Sequence, residues 1–156
     1  MLPESKWKQF GRPNMEVKGI VIHNTNINRS AKECEAIMMN ARDSRGTHFF
    51  VGDEVIQMMP TSWSVWNTGK GLDFGNLNCI AIEICSNLNS EIYLQNEQNA
   101  VKLIKELMEE FSLTTDDIYF HRDFDVTVNC PADILKRYKT KRDFISQYFK
   151  EDKNEQ

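Results

Sequence analysis

Two short apolar runs restrict most tightly how this chain can fold: Val17-Lys18-Gly19-Ile20-Val21-Ile22-His23 and Cys79-Ile80-Ala81-Ile82-Glu83-Ile84-Cys85. The first is dense in β-branched side chains and has little polar relief, the pattern of an interior strand covered on both faces. The second reads as another strand, with one carboxylate set in the middle of an otherwise apolar stretch. Strands of this kind belong to an α/β sheet, whose chemistry gathers at the C-terminal strand edge. His23 stands at that edge.

The intervening residues supply helices and a hairpin. Asn24 to Arg29 is a polar loop closed by Ser30, with Glu33 three positions on, the capping-box signature of a helix start. A helix is expected over roughly 31 to 42, with Cys34, Ile37, Met38 and Ala41 on one face. His48-Phe49-Phe50-Val51 and Val55-Ile56-Gln57-Met58, separated by Gly52-Asp53, read as a hairpin. Pro60 to Asn78 holds Trp63, Trp66, Phe74 and three glycines with little periodicity, and so long an irregular segment usually has a function. A helix from about Asn96 to Phe111 carries Val101, Ile104, Leu107, Met108 and Phe111 at helical spacing, a stripe that must pack on a sheet. Ile118 to Phe120 is a brief strand ending in His121. Pro131 opens a short helix, and Arg142 to Phe149 forms another. Residues 1 to 16 suggest a short helix and a turn.

At 156 residues the chain is one domain long. Its formal net charge of -4 gives no help in approaching a polyanion, so nucleic acid is not an expected partner. No apolar stretch is long enough for stable membrane insertion, and the first residues lack a secretory signal, so the chain is expected to be made in the cytoplasm or to be a piece of an exported protein. No obligate protein partner is evident. Cys34, Cys79 and Cys85 read as buried free thiols. The polar tail 150 to 156 reads as the start of a linker after a domain spanning 1 to 149.

His23, His121 and Cys130 form a plausible metal site. Two imidazoles and a thiolate give zinc three protein ligands and leave one position for water, the catalytic rather than the structural arrangement. Pro131 at a helix start would place Cys130 near the positive end of that helix and lower its thiol pKa. A metallohydrolase is the leading idea.

Several motifs in fixed order then carry a resemblance: Ile22-His23-Asn24-Thr25, Thr47-His48-Phe49-Phe50-Val51, Trp66-Asn67-Thr68-Gly69-Lys70-Gly71, Asn76 to Cys85, and His121-Arg122-Asp123 followed by Asn129-Cys130-Pro131. From about Ile20 to Ile134 the chain resembles the zinc-dependent N-acetylmuramoyl-L-alanine amidases of the phage-lysozyme and peptidoglycan-recognition superfamily, most of all the branch of endolysins and autolysins. The resemblance implies a single α/β domain with a central mixed β-sheet flanked by helices, Zn2+ on His23, His121 and Cys130, and Glu83 as the acidic residue beside the metal. A buried carboxylate of raised pKa can take a proton from water and pass it to a departing amine, whereas the structural alternative is a cationic partner across the sheet.

Three departures stand out. Relatives commonly carry histidine where this chain has Asn67, several carry lysine at Val128, and some phage members carry tyrosine at Thr47. Oxyanion stabilisation would then fall more heavily on the metal, helped by a backbone N–H. Substrate contacts are expected from Trp66, Asn67, Asn76 and His48, although His48 reads first as an internal hydrogen-bonding residue that fixes the sheet edge near the metal, and Asn76 can do no more than shape a turn. Asp123 is expected to receive a hydrogen bond from a ligand histidine's second nitrogen, or to form a solvated pair with Arg122.

The resemblance thus implies hydrolysis of the amide between the lactyl group of N-acetylmuramic acid and L-alanine of peptidoglycan, in an open groove lined by residues 60 to 78. Two alternatives are a non-catalytic peptidoglycan-binding module and a zinc peptidase acting on the peptide stem. An endolysin would act on the wall after release from the cytoplasm, and an autolysin after export; either often carries a separate wall-binding domain.

Overall fold

The computed structural model describes residues 1–150; the expected linker from 151 onward lies outside the described residues. A 3-10 turn at Glu4–Lys6 and helix α1 (Trp7–Phe10) lead into strand β1 (Gly19–Asn24), every residue of which is buried. Then follow α2 (Ala31–Met39), the hairpin strands β2 (Phe49–Val51) and β3 (Val55–Gln57), α3 (Phe74–Asn78), β4 (Cys79–Ile84) and the long α4 (Ser90–Glu110). Strand β5 (Ile118–Phe120), α5 (His121–Phe124), α6 (Ala132–Tyr138) and α7 (Lys141–Tyr148) complete the order.

The sheet runs β3-β2-β4-β1-β5, with β1 parallel to both β4 and β5, β2 parallel to β4, and only β3 antiparallel. This is the expected mixed sheet flanked by helices. Its register builds the site: His23 pairs with Glu83, Phe50 pairs with Glu83 from the other side, and Ile22 pairs with Phe120, so His121 leaves β5 at the level of His23.

Side chains alternate between the two faces. One face offers Ile20, Ile22, Ile80 and Ile82, all at 0% exposure, to Val101, Ile104 and Leu107 of α4, Ile134 of α6 and Phe144 of α7. Burying each such side chain is worth about 1.5–3 kcal/mol. A one-residue slip of β1 would turn His23 into this layer and Ile22 out of it, so the same burial that stabilises the sheet holds the register of the site. The other face packs Leu2 and Phe10 of the N-terminal segment with Met58, Met59 and Val65, and with Cys34 and Met38 of α2. Gly11 allows that segment to cross the Ser64 carbonyl, where a Cβ would lie 1.6 Å from the oxygen. A groove lined by His23 and Glu83 opens at the C-terminal ends of β1 and β4 on this face.

The element boundaries differ from expectation for identifiable reasons. The Ser30–Glu33 capping box forms, but α2 stops at Met39, and Ile37 of its expected core stripe is 52% exposed. Helix α4 starts at Ser90 rather than near Asn96 because the Asn89 side chain accepts from the Glu91 and Ile92 N–H groups. Its first turns bury Tyr93, Asn96 and Glu97, polar residues that hide the helical period from an apolar count. Residues 74–78 of the segment expected to lack structure form α3, capped by Asp73. Pro131 is the residue before α6 rather than its first helical position. Among the described residues no helix is long and apolar enough to cross a membrane.

Candidate active site

Strand register and two chain corners bring His23, His121 and Cys130 together, with one donor atom from each lying within 4.8 Å of the others. Donor atoms on a tetrahedral zinc lie about 3.3–3.6 Å apart, given Zn–N near 2.0–2.1 Å and Zn–S near 2.3 Å. Cys130 Sγ is 3.6 Å from His23 Nδ1, and the two imidazole centroids are 4.7 Å apart. The donor set fits zinc, and the Cys130–His23 pair already has the spacing of a tetrahedral site.

Each imidazole has its second nitrogen engaged. His23 Nε2 donates to Asn67 Oδ1 at 2.9 Å, and His121 Nε2 to the Thr68 carbonyl at 3.0 Å. A neutral imidazole bonded in this way presents an unprotonated Nδ1, the state a metal requires. Asn67 is itself held by the carbonyls of Val65 and Gly75, which accept from its Nδ2, and its backbone N–H donates to Asn76 Oδ1. Burial, then the neighbouring His121, lower the His23 pKa to about 3, against a smaller raising effect of Asn67, so His23 stays neutral at physiological pH.

Cys130 corrects one expectation. Burial and the nearby Glu83 push its thiol up to about 12, outweighing a lowering hydrogen bond from the Asn24 backbone, so in the metal-free protein it is a thiol. The lowered thiol pKa anticipated from Pro131 is not found, and it is the metal that must draw the proton off.

Glu83 lies beside this cluster, with Oε1 3.8 Å from His23 Nδ1. Its Oε2 is the one buried side-chain oxygen or nitrogen among the described residues with no hydrogen-bond partner. Burial first, and Cys34 second, raise its pKa well above the usual carboxylate range. Among the described residues no Lys or Arg pairs with it: its strand neighbours are His23 and Phe50. Leaving a carboxylate oxygen unpaired is costly, and such orphans mark places where a missing partner belongs.

A groove of about 570 Å3 opens over the cluster. Its walls are the 24–27 loop, Cys34, Ile37 and Met38 of α2, the 43–47 turn, and Val128 and Asn129. Of the 60–78 segment expected to form it, Asn67 alone lines it. The four residues expected to meet substrate all have internal partners. His48 is fully buried, its Nε2 donating to the Trp63 carbonyl at 2.7 Å and its Nδ1 accepting from the Ala81 N–H at 2.9 Å. Asn76, 1% exposed, braces the 67–76 loop through the Asn67 and Thr68 N–H groups and the Gly71 carbonyl. Trp66 does not line the groove; Arg12 sits over its ring at 5.3 Å, and its backbone bridges Phe10 and Gly46. The Asn67 amide is spent on His23 and two carbonyls.

Asp123 likewise bonds neither imidazole. Its Oδ2 accepts from the Phe120 N–H and from Lys141 Nζ, both at 2.8 Å, which pins the corner where His121 leaves β5. Holding the ligand rings falls instead to Asn67 and the Thr68 carbonyl. The Thr68 contact uses only backbone, so no side chain in the sequence announces it. The Thr47 hydroxyl bonds the Phe49 and Ala81 carbonyls, so it is not free for substrate.

The N-acetylmuramoyl-L-alanine amidase family model matches residues 13–141. N-acetylmuramoyl-L-alanine amidase CwlA of Bacillus subtilis (strain 168) is 35% identical over 127 residues, covering 79% of this chain and 46% of the relative. The chain thus spans less than half the length of that relative. The structure of PlyL superposes with a TM-score of 0.83 at 26% identity over 90% of both chains, and that of the XlyA catalytic domain with a TM-score of 0.76 at 28% identity over 85% of this chain and 89% of that one. With the family model matching most of its length and the fold superposing on these structures, the chain belongs to the N-acetylmuramoyl-L-alanine amidase family.

Proposed function

We propose that residues 1–149 form the catalytic unit of a zinc-dependent amidase that hydrolyses the bond between the lactyl group of N-acetylmuramic acid and L-alanine in peptidoglycan. The observation that carries this reading is a three-donor set under an open groove, with an unpartnered buried carboxylate beside it.

His23, His121 and Cys130 would hold the ion. Zinc bound there supplies Lewis acidity, polarising a carbonyl and making water nucleophilic near neutral pH. Asn67 and the Thr68 carbonyl keep the two imidazoles in the ligating tautomer and orientation. Glu83 accepts the proton that attacking water loses and delivers it to the amide nitrogen as the carbon–nitrogen bond breaks, giving a lactyl carboxyl group and the free amine of L-alanine. A raised carboxyl pKa suits both halves of that transfer. The apolar flanks from Ile37, Met38 and Val128 exclude water around the cleaved bond, while the open top admits a polymer. Such an enzyme acts at the cell wall, either as a released endolysin or as part of an exported autolysin.

Digestion of purified cell wall tests the reading. New amino groups without new reducing ends identify an amidase, and mass spectrometry of the products must place the cut before L-alanine. Cuts inside the stem would make it a peptidase, and zinc binding without any release would leave a binding module.

A further inference from the structure

Asn24 follows His23 on β1, and strand alternation sends its side chain to the opposite face, where it is 4% exposed. There its Oδ1 accepts from the backbone N–H groups of Asp133 at 2.9 Å and Ile134 at 3.3 Å, in the first turn of α6. Cys130 lies just ahead of that turn, and its own carbonyl accepts from the Arg122 N–H beside His121. The residue after one ligand therefore caps the helix that follows another, across 107 positions of sequence between His23 and Cys130.

The other end of Asn24 is anchored. Its Nδ2 donates to the Tyr93 hydroxyl at 3.1 Å, which in turn donates to Glu97 Oε1 at 3.1 Å. Glu97 is 0% exposed, and its Oε2 pairs with Arg137 Nη1 at 2.9 Å in the last turn of α6. Helix α6 is thus clamped at its start by Asn24 and near its end by Glu97, and Tyr93 on α4 joins the two clamps. A buried carboxylate is expensive unless fully partnered, and here the partners form one connected path. The Ser86 hydroxyl adds a second tie by donating to Asp133 Oδ2 while accepting from the Asn26 N–H.

We infer that Asn24 is a positioning residue for the metal centre: by holding the start of α6 it sets Cys130 Sγ against His23 Nδ1, with Tyr93, Glu97 and Arg137 as its buried anchor. This rests on the zinc reading of the three donors. A cap that merely stabilised the fold would weaken metal-free and zinc-loaded protein alike and leave zinc affinity unchanged. A positioning cap changes the affinity itself.

The test compares wild type, Asn24→Ala, Asn24→Asp and Tyr93→Phe by zinc competition against a chromophoric chelator, and by the thiolate-to-cobalt absorption band of the Co2+-loaded proteins. Circular dichroism of each metal-free chain checks folding. Asn24→Ala should weaken zinc binding about 10–100-fold, the usual cost of losing an outer-shell partner, and should shift or weaken the cobalt band. Asn24→Asp keeps the oxygen that caps α6 and should retain most of the affinity. Tyr93→Phe, which leaves the ligands and the capping oxygen in place and removes the acceptor of Asn24 Nδ2, should lose affinity by a smaller factor, and it decides the matter if Asn24→Ala does not fold. Folded variants with wild-type zinc affinity and an unaltered cobalt band would overturn the inference, as would a loss in Asn24→Asp equal to that in Asn24→Ala. Wild type that binds no zinc would instead sink the reading beneath it.

Discussion

Replacing Asn67 by alanine removes the acceptor of the His23 Nε2–H, a 2.9 Å bond to a ring only 3% exposed. Water has little access to take its place, so the donor is left unsatisfied at a cost of about 1–3 kcal/mol. At about 1.4 kcal/mol per factor of ten, that corresponds to roughly 5–150-fold in an equilibrium constant. The penalty falls mainly on the zinc-loaded state, because a ligating imidazole is a stronger donor and can no longer rotate to seek another partner. Zinc affinity should therefore fall about 10–100-fold. The two bonds from Asn67 Nδ2 to the Val65 and Gly75 carbonyls exist with or without metal, and their loss lowers stability in both states. Asn67→Asp separates the two effects: it keeps the acceptor and gives up the donors, so it should lose stability yet bind zinc more tightly than Asn67→Ala. Chelator competition near neutral pH gives the affinities, and urea unfolding of the metal-free proteins gives the stabilities. A folded Asn67→Ala protein with wild-type zinc affinity would refute the role assigned to this side chain.

Four further outcomes are expected. Glu83→Gln should keep zinc but lower turnover about 100- to 10,000-fold, measured as amino groups released from cell wall. In the metal-free protein, the raised Glu83 pKa contributes stability that is present below the ordinary carboxylate pKa and lost as pH rises through the raised value, so unfolding curves of Glu83→Gln should be flatter with pH over that range. Because the Cys130 thiol is pushed up to about 12, zinc uptake near neutral pH must expel its proton, and titration calorimetry in buffers of different ionisation heat should show release that Cys130→Ser abolishes together with tight binding. His48→Ala orphans the Ala81 N–H and the Trp63 carbonyl, costing about 1–3 kcal/mol for each; its unfolding midpoint should drop while the zinc affinity of the folded fraction stays near that of wild type.

The parts of this fold that the sequence displays are those where one physical effect dominates. Gly19–Asn24 and Cys79–Ile84 are strands because continuous β-branched burial leaves no competing period, and the Ser30–Glu33 cap is local enough to read in four residues. Asn89 was available as a cap for α4, but the polar Asn96 and Glu97 interrupt the apolar stripe, and only their tertiary partners reveal that they are buried. The metal donors were legible because zinc demands particular atoms. Their supports were not: an asparagine that orients an imidazole looks like one that touches substrate until its hydrogen bonds are seen, as Asn67 shows, whereas the internal role that the sequence offers for His48 is the one its hydrogen bonds fill. Trp66 misled for a related reason, since glycine-rich surroundings suggest a groove wall, whereas Arg12, far off in sequence, lies over its ring. The groove is instead walled by α2, whose Ile37 breaks the expected inward stripe and faces the open space.

Anomalous diffraction at the zinc edge, on crystals grown with the metal, tests the central claim most directly. One peak should appear within bonding distance of an imidazole nitrogen from each of His23 and His121 and of Cys130 Sγ, with a fourth coordination position open to the groove and Glu83 beside it. A peak held by other residues, or none at these three in well-ordered crystals, would contradict the assignment of this cleft as a hydrolytic zinc site.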